Sequence, residues 1–132
     1  MKIRCVTNSL SRKQLNELGY NGDNPQWNNI TVGEEYLVLG MSCQYKGIIG
    51  PGFMFLDDDG KYDSGSYCLF EIADGRPSKY WVLEDNPGYG CILWHPDFGK
   101  NYHFVEDLYD GEPEAVEIFN RVVKQLQEEF PD

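Results

Sequence analysis

Cys91, His95 and His103 are the one set in this sequence whose side chains could together perform nucleophilic or metal chemistry. A thiolate beside an imidazole is a hydrolytic pair, and the same donors could serve a zinc ion. The spacing argues against both. Cys-x3-His followed by seven residues to His103 matches no standard zinc pattern, and no fourth ligand is apparent. A catalytic thiol needs an electropositive setting to ionise, whereas the residues around Cys91 are acidic and aromatic. His95, just before Pro96, reads as the cap of a strand end, and His103, between Tyr102 and Phe104, as a packing residue. Asp57, Asp58, Asp59 and Asp63 around Gly60 raise the question of calcium. An EF-hand loop needs oxygen ligands at positions 1, 3 and 5 ahead of its glycine, and position 1 falls on Phe55. The run reads as an acidic hairpin turn. The glycines form neither a dinucleotide fingerprint nor a phosphate loop, so no cofactor and no catalysis are expected.

What the sequence does concentrate is negative charge. Of its 132 residues 22 are acidic and 11 basic, a net charge of −11. That argues against a nucleic-acid binder, because a phosphate backbone demands lysine and arginine, and makes a basic protein the natural complement, the plainer reading being that acidity keeps the protein in solution. The charge is uneven: residues 1 to 33 carry a net +2 and residues 97 to 132 a net −7. Toward the acidic end, Asp85, Asp97, Glu106, Asp107, Asp110, Glu112, Glu114 and Glu117 alternate with Trp94, Phe98, Tyr102, Phe104 and Tyr109. Carboxylates around aromatic anchors make a competent protein-binding surface, since charge steers the encounter and the rings supply desolvated area. Asp57, Asp58, Asp59, Glu106, Asp107 and Asp110 are accordingly candidate charge contacts, with Trp94 and Tyr109 as anchors. The plainer alternative is a set of core aromatics beside a solvated acidic face.

The elements that must position these groups follow from pattern. Ile30 to Met41 carries apolar residues on both alternating faces, Tyr36 and Val38 against Leu37, Leu39 and Met41, which is the signature of a buried central strand. Met1 to Thr7 alternates as a half-exposed strand with a basic outer face. Ser11 and Gln14 form a capping box with Leu10 and Leu15 as its staple, opening a short helix that ends at Gly19. Residues 20 to 29 read as a loop pinned by Trp27, and 42 to 52 as a glycine-rich loop whose Ile48 and Ile49 tuck in.

Phe53 to Leu56, Tyr67 to Ile72, Tyr80 to Glu84 and Cys91 to Trp94 are further short strands, with the return from the hairpin interrupted at Ser64-Gly65-Ser66 and a turn at Asn86-Pro87-Gly88. Pro113 begins a terminal helix whose Val116, Phe119, Val123, Leu126 and Phe130 form an apolar stripe. The expected fold is a single α+β domain over 1–132, mainly antiparallel. Its core is a small, strongly bent sheet or barrel, with a short N-terminal helix and a C-terminal amphipathic helix packed on it.

Four scattered cysteines, Cys5, Cys43, Cys68 and Cys91, without a Cys-x-x-Cys pair, and a start lacking an apolar leader point to a reducing cytoplasm and free thiols, although the even number allows two disulfides. No run reaches the length of a membrane span.

MKIRCVTNS, LGY with ITVGEEYLVLGM, the DDDG turn, LFEIADGRPSKYWVL and YDGEPEAVEIF, in that order, resemble small bacterial proteins of the polymorphic-toxin immunity type, including those of contact-dependent growth inhibition. The likeness spans nearly the whole chain and rests on structural motifs. The ITVG opening with the DDDG hairpin and LFE strand is also similar to SH3-like barrels. The resemblance implies a cytoplasmic protein that binds and neutralises the C-terminal toxin domain of a cognate effector, commonly a basic nuclease, without catalysis. The alternative is a non-catalytic SH3-like interaction module with an acidic face. The loops at 20 to 29 and 42 to 52 have a composition of their own and are the expected determinants of which toxin is bound.

Overall fold

The computed structural model describes residues 1–44, 47–87 and 90–132. Tyr45 and Lys46 of the second loop, and Gly88 of the expected turn at 86–88, lie outside the described residues. The fold is α+β, with seven strands in one open, antiparallel sheet and four helices among the described residues.

Strand β2 (Glu35–Ser42) is the axis of the sheet. Along one side it pairs with β3 (Gly52–Leu56), which pairs in turn with β4 (Tyr62–Ser66). On the other side its first half pairs with β1 (Lys2–Cys5) and its second half with β7 (Gly90–Trp94). β1 carries β5 (Phe70–Asp74) outside it, and β7 carries β6 (Val82–Asn86). The alternation in ITVGEEYLVLGM explains this position: Tyr36 and Val38 enter one apolar cluster and Leu39 the opposite one, so the strand is covered on both faces. Gly40 makes the close crossing possible, since a Cβ there would lie 2.8 Å from the Cβ of Trp94 on β7.

One face of the sheet is covered by α1 (Arg12–Leu18) and the loop that follows it. The α1 capping box is formed as the sequence predicts, with Ser11 accepting from the Gln14 N–H and Gln14 from the Ser11 N–H. Gly19 closes the helix in a left-handed conformation (φ 103°), a geometry that a side chain would resist. Leu15, Leu18 and Trp27 then pack on Ile3, Phe53 and Phe70.

The opposite face is covered by α2 (Pro96–Gly99), α3 (Phe104–Tyr109) and α4 (Pro113–Glu129). Phe98 sits at their junction, stacked on Phe104 at 4.8 Å and edge-on to Trp94 at 5.7 Å between ring centroids. α4 begins at Pro113 and buries Phe119 and Leu126 of its expected stripe, with Phe130 just past its end; Val122 is buried where Val123 was expected, and Val116 and Val123 are half-buried.

Three local expectations are corrected. Ser64-Gly65-Ser66 does not interrupt the return strand but completes β4, and the break is a 3₁₀ turn at Tyr67–Leu69, started by Ser66 accepting from the Cys68 N–H. The residues 96 to 109 hold two short helices that no periodicity announced. Finally, Cys43 and Cys91 are joined in a disulfide. The scattered spacing favours free thiols, but the β2–β7 ladder continues through the Cys43 N–H to the Cys91 carbonyl and brings their Cα atoms to 5.4 Å, the span a disulfide requires. Cys5 and Cys68 remain thiols.

Candidate functional site

The acidic hairpin between β3 and β4 is built by its own carboxylates. Asp57 is only 8% exposed, and its Oδ1 accepts from the backbone N–H groups of Asp59 and Lys61. Asp58 accepts from the Tyr36 hydroxyl at 2.6 Å and the Thr31 hydroxyl at 2.9 Å, tying the turn to the entrance of β2. Burial, reinforced by the bond to Asp58, pushes the Tyr36 phenol up to about 12. Asp57, expected as a charge contact, is therefore structural and shapes the turn, whereas Asp58 docks the turn and still stays exposed. Asp59 is exposed.

The two expected anchors also part company. Trp94 is 5% exposed, packed beneath α2 with its indole N–H donating to Glu84, so it belongs to the core and offers nothing to a partner. Tyr109, at the end of α3, is 67% exposed, and its ring stands edge-on to Tyr62 of β4 with centroids 6.1 Å apart. Glu106 pairs with His103, Asp107 accepts from the Asn101 amide at 2.8 Å, and Asp110 caps the C-terminus of α3. His103 is an exposed partner of Glu106 rather than the packing residue its aromatic neighbours implied.

Two clefts meet at Tyr109. The first, about 560 Å³, runs between residues 20–27, the segment 48–54 and β4, with Trp27, Ser42, Asp63 and Tyr109 among its walls. The second, about 600 Å³, lies between the hairpin and the helices, with Asp57, Lys61, Tyr62, Leu108 and Asn120. Both are lined by Asp63 and Tyr109. Asp63 is half-buried, and loss of hydration raises its carboxyl above the ordinary value. The Ser64 N–H, donating at 2.8 Å, opposes that shift, and neighbouring Asp57 adds to it. An ionised carboxylate held in such a place gains from a cation brought to it. Among the described residues no lysine or arginine lines the first cleft, and Lys61 alone lines the second.

The remaining carboxylates lie elsewhere. Asp107 lines a separate concavity with Glu112, Glu114 and Tyr102, and neither Glu106 nor Asp110 lines either of the clefts at Tyr109. The basic N-terminal strand is largely neutralised: Arg4 bridges Glu35 and Glu71, and Lys2 pairs with Asp132. The sequence singled out Tyr109 but not Asp63 as a contact, although Asp63 was visible among the hairpin aspartates. Trp27 and Ser42 carried no signal beyond their loop positions.

The set Cys91, His95 and His103 is dispersed. Cys91 is held in the disulfide and has no thiolate to offer. His95 is buried, its Nε2 hydrogen-bonded to Gln125 and its Nδ1 accepting from the Asp97 N–H, so it caps α2 rather than a strand end. Among the described residues no group of three or more His, Cys, Asp and Glu is placed to hold a metal ion, and no helix is long and apolar enough to cross a membrane. No family model, curated protein or solved structure matches this chain.

Proposed function

We propose that this chain is a binding protein that recognises a basic protein domain through the paired clefts at Tyr109, and that it acts as an immunity protein neutralising a toxin, most simply a nuclease. The observation that carries the reading is the convergence of both clefts on Asp63 and Tyr109, a half-buried carboxylate and an exposed ring. A cationic side chain entering there meets a charge with little water to screen it, and Tyr109 provides an exposed aromatic face for its stem. The net charge of −11 supports attraction at longer range. The loops expected to choose the partner, 20–29 and 42–52, supply the walls of the first cleft. The one candidate nucleophile, Cys91, is tied up, which supports a non-catalytic role.

A cytoplasmic site of action belongs to the same proposal. The Cys43–Cys91 bond weighs against it, because cytoplasmic thiols are ordinarily kept reduced. Acid quenching of cells followed by thiol labelling reads the state of that pair directly.

The test is capture of partners on the tagged protein at low and high salt, alongside an Asp63→Asn, Tyr109→Ala double variant. The expected result is a basic C-terminal domain of a larger exported protein, released by salt and by the double variant, whose toxic activity falls when the purified chain is added. A captured domain that stays active with the chain bound, or that the double variant holds as well as the parent, would overturn the reading.

A further inference from the structure

The strand β4 is an edge of the sheet, and its hydrogen-bond parity is set at both ends. The Asp57 N–H donates to the Lys61 carbonyl before the strand, and the Tyr67 N–H donates to the Pro51 carbonyl after it. The N–H and C=O of one residue in an antiparallel strand point to the same side. Lys61, Asp63, Gly65 and Tyr67 therefore face β3, while Ser64 and Ser66 direct their backbone groups outward. The Asp63 carboxylate confirms the direction by reaching round the edge to accept from the Ser64 N–H. No backbone group among the described residues pairs with Ser64 or Ser66 on that outer side.

The first cleft lies along this edge. It is lined by Asp63, Ser64, Gly65 and Ser66, four consecutive residues whose side-chain positions alternate between the two faces of the sheet. The cleft therefore follows the run of the strand rather than crossing it. The 20–27 segment with Trp27 forms its wall on one face, and Tyr109 forms the wall on the other. A cleft along an edge whose outward groups pair with no other strand among the described residues, and whose Ser64 N–H is held only by the Asp63 side chain that an incoming strand can displace, fits an extended polypeptide.

We propose that this slot receives an extended, basic segment of the partner, which adds to the sheet as a strand beside β4 and places a lysine or arginine at Asp63. The proposal rests on the basic-partner reading and deepens it. The occupant is chosen by charge: Asp23 and Asp63 line the slot with no cation among its described residues. A second copy of the chain would instead bring its own Asp63 and a net charge of −11 to the same acidic edge. Main-chain bonds along β4 supply affinity, and alternate side chains meeting Trp27 and Tyr109 supply selection. The Asp63 bond to Ser64 also serves the free protein, since it occupies an outward N–H that would otherwise invite edge-to-edge pairing.

The probe is a short capped peptide alternating arginine and valine, followed by calorimetry and by amide hydrogen exchange. The expected result is slowed exchange at Ser64 and Ser66. Affinity should fall roughly tenfold or more when alternate peptide nitrogens are methylated, because each lost main-chain bond leaves an unsatisfied group. Ser64→Pro should weaken binding similarly and leave exchange within the β3 ladder unchanged, because that N–H plays no part in it; loss of its bond to Asp63 lowers the melting temperature only slightly. If the methylated peptide binds as well as its parent, strand addition fails and the basic-partner reading stands. If a threonine-valine peptide binds as well as the arginine one, strand addition stands and the basic-partner reading fails. If no peptide slows exchange at Ser64 and Ser66, or if the chain dimerises through this edge and Ser64→Pro abolishes the dimer, the proposal is overturned.

Discussion

The ring of Tyr109 meets that of Tyr62 edge-on, with centroids 6.1 Å apart, and so joins the end of α3 to the edge strand of the sheet. The first residue comes from the last third of the chain and the second from the acidic hairpin. Their contact puts the helical layer beside β4, and the two clefts open on either side of it.

Tyr109 and Trp94 should therefore behave in opposite ways. Tyr109→Ala removes an exposed ring and is expected to lower partner affinity about tenfold while stability changes by less than about 1 kcal/mol. Trp94→Ala empties part of the core and should cost about 3–5 kcal/mol. Denaturant melts of both variants, paired with binding titrations, check the contrast. Equal effects on stability would contradict the burial described here.

Asp63→Asn should separate binding from stability. The folded carboxyl is raised above its ordinary value of 3.8, so protonation favours the fold; the stability tied to this group is present at low pH and lost as pH rises through the folded value. At neutral pH the asparagine is expected to melt higher than the parent, since it carries no desolvated charge and can still accept from Ser64. The gap should close on acidification toward pH 4, while affinity for a basic ligand falls at neutral pH. Calorimetric melts across that range measure both trends.

Asp97 titrates in the other direction. Its carboxylate bonds to Lys100 at 2.8 Å and Arg121 at 2.7 Å, joining α2 to α4, and these contacts lower its value from 3.8 to about 2. The stabilisation is present above about pH 4 and disappears as pH falls through about 2. Asp97→Asn should destabilise the protein at neutral pH by about 1 kcal/mol, an amount limited by the exposure of Lys100 and Arg121. Near pH 2 the variant and parent should converge. A difference that persists unchanged in acid would show that packing, not charge, is responsible.

Reduction of the Cys43–Cys91 bond removes a link across 48 residues and should cost about 2–4 kcal/mol. Melting with and without reductant measures it, and a Cys43→Ser, Cys91→Ser variant should match the reduced protein and ignore reductant. Because Ser42 lines the first cleft, the same reduced sample should also bind more weakly.

What could be read from the sequence is what neighbouring residues decide among themselves. The capping box at Ser11 and Gln14, the apolar stripe after Pro113, the Asp-Gly hairpin and the doubly apolar β2 are all present, because capping bonds and side-chain periodicity act over a few residues. The net charge was equally plain. Only the tertiary structure decided which charges are available. Asp57 and Asp58 look like Asp59 in the sequence, yet one is enclosed by its own turn and the other is bonded to Tyr36 from a different strand. Trp94 and Tyr109 are both aromatics among carboxylates, and α2 covers one while leaving the other in the open. The disulfide, the edge position of β4 and the meeting of two clefts at Asp63 depend on strands far apart in the chain lying side by side. Burial and pairing are through-space quantities, and no local spacing records them.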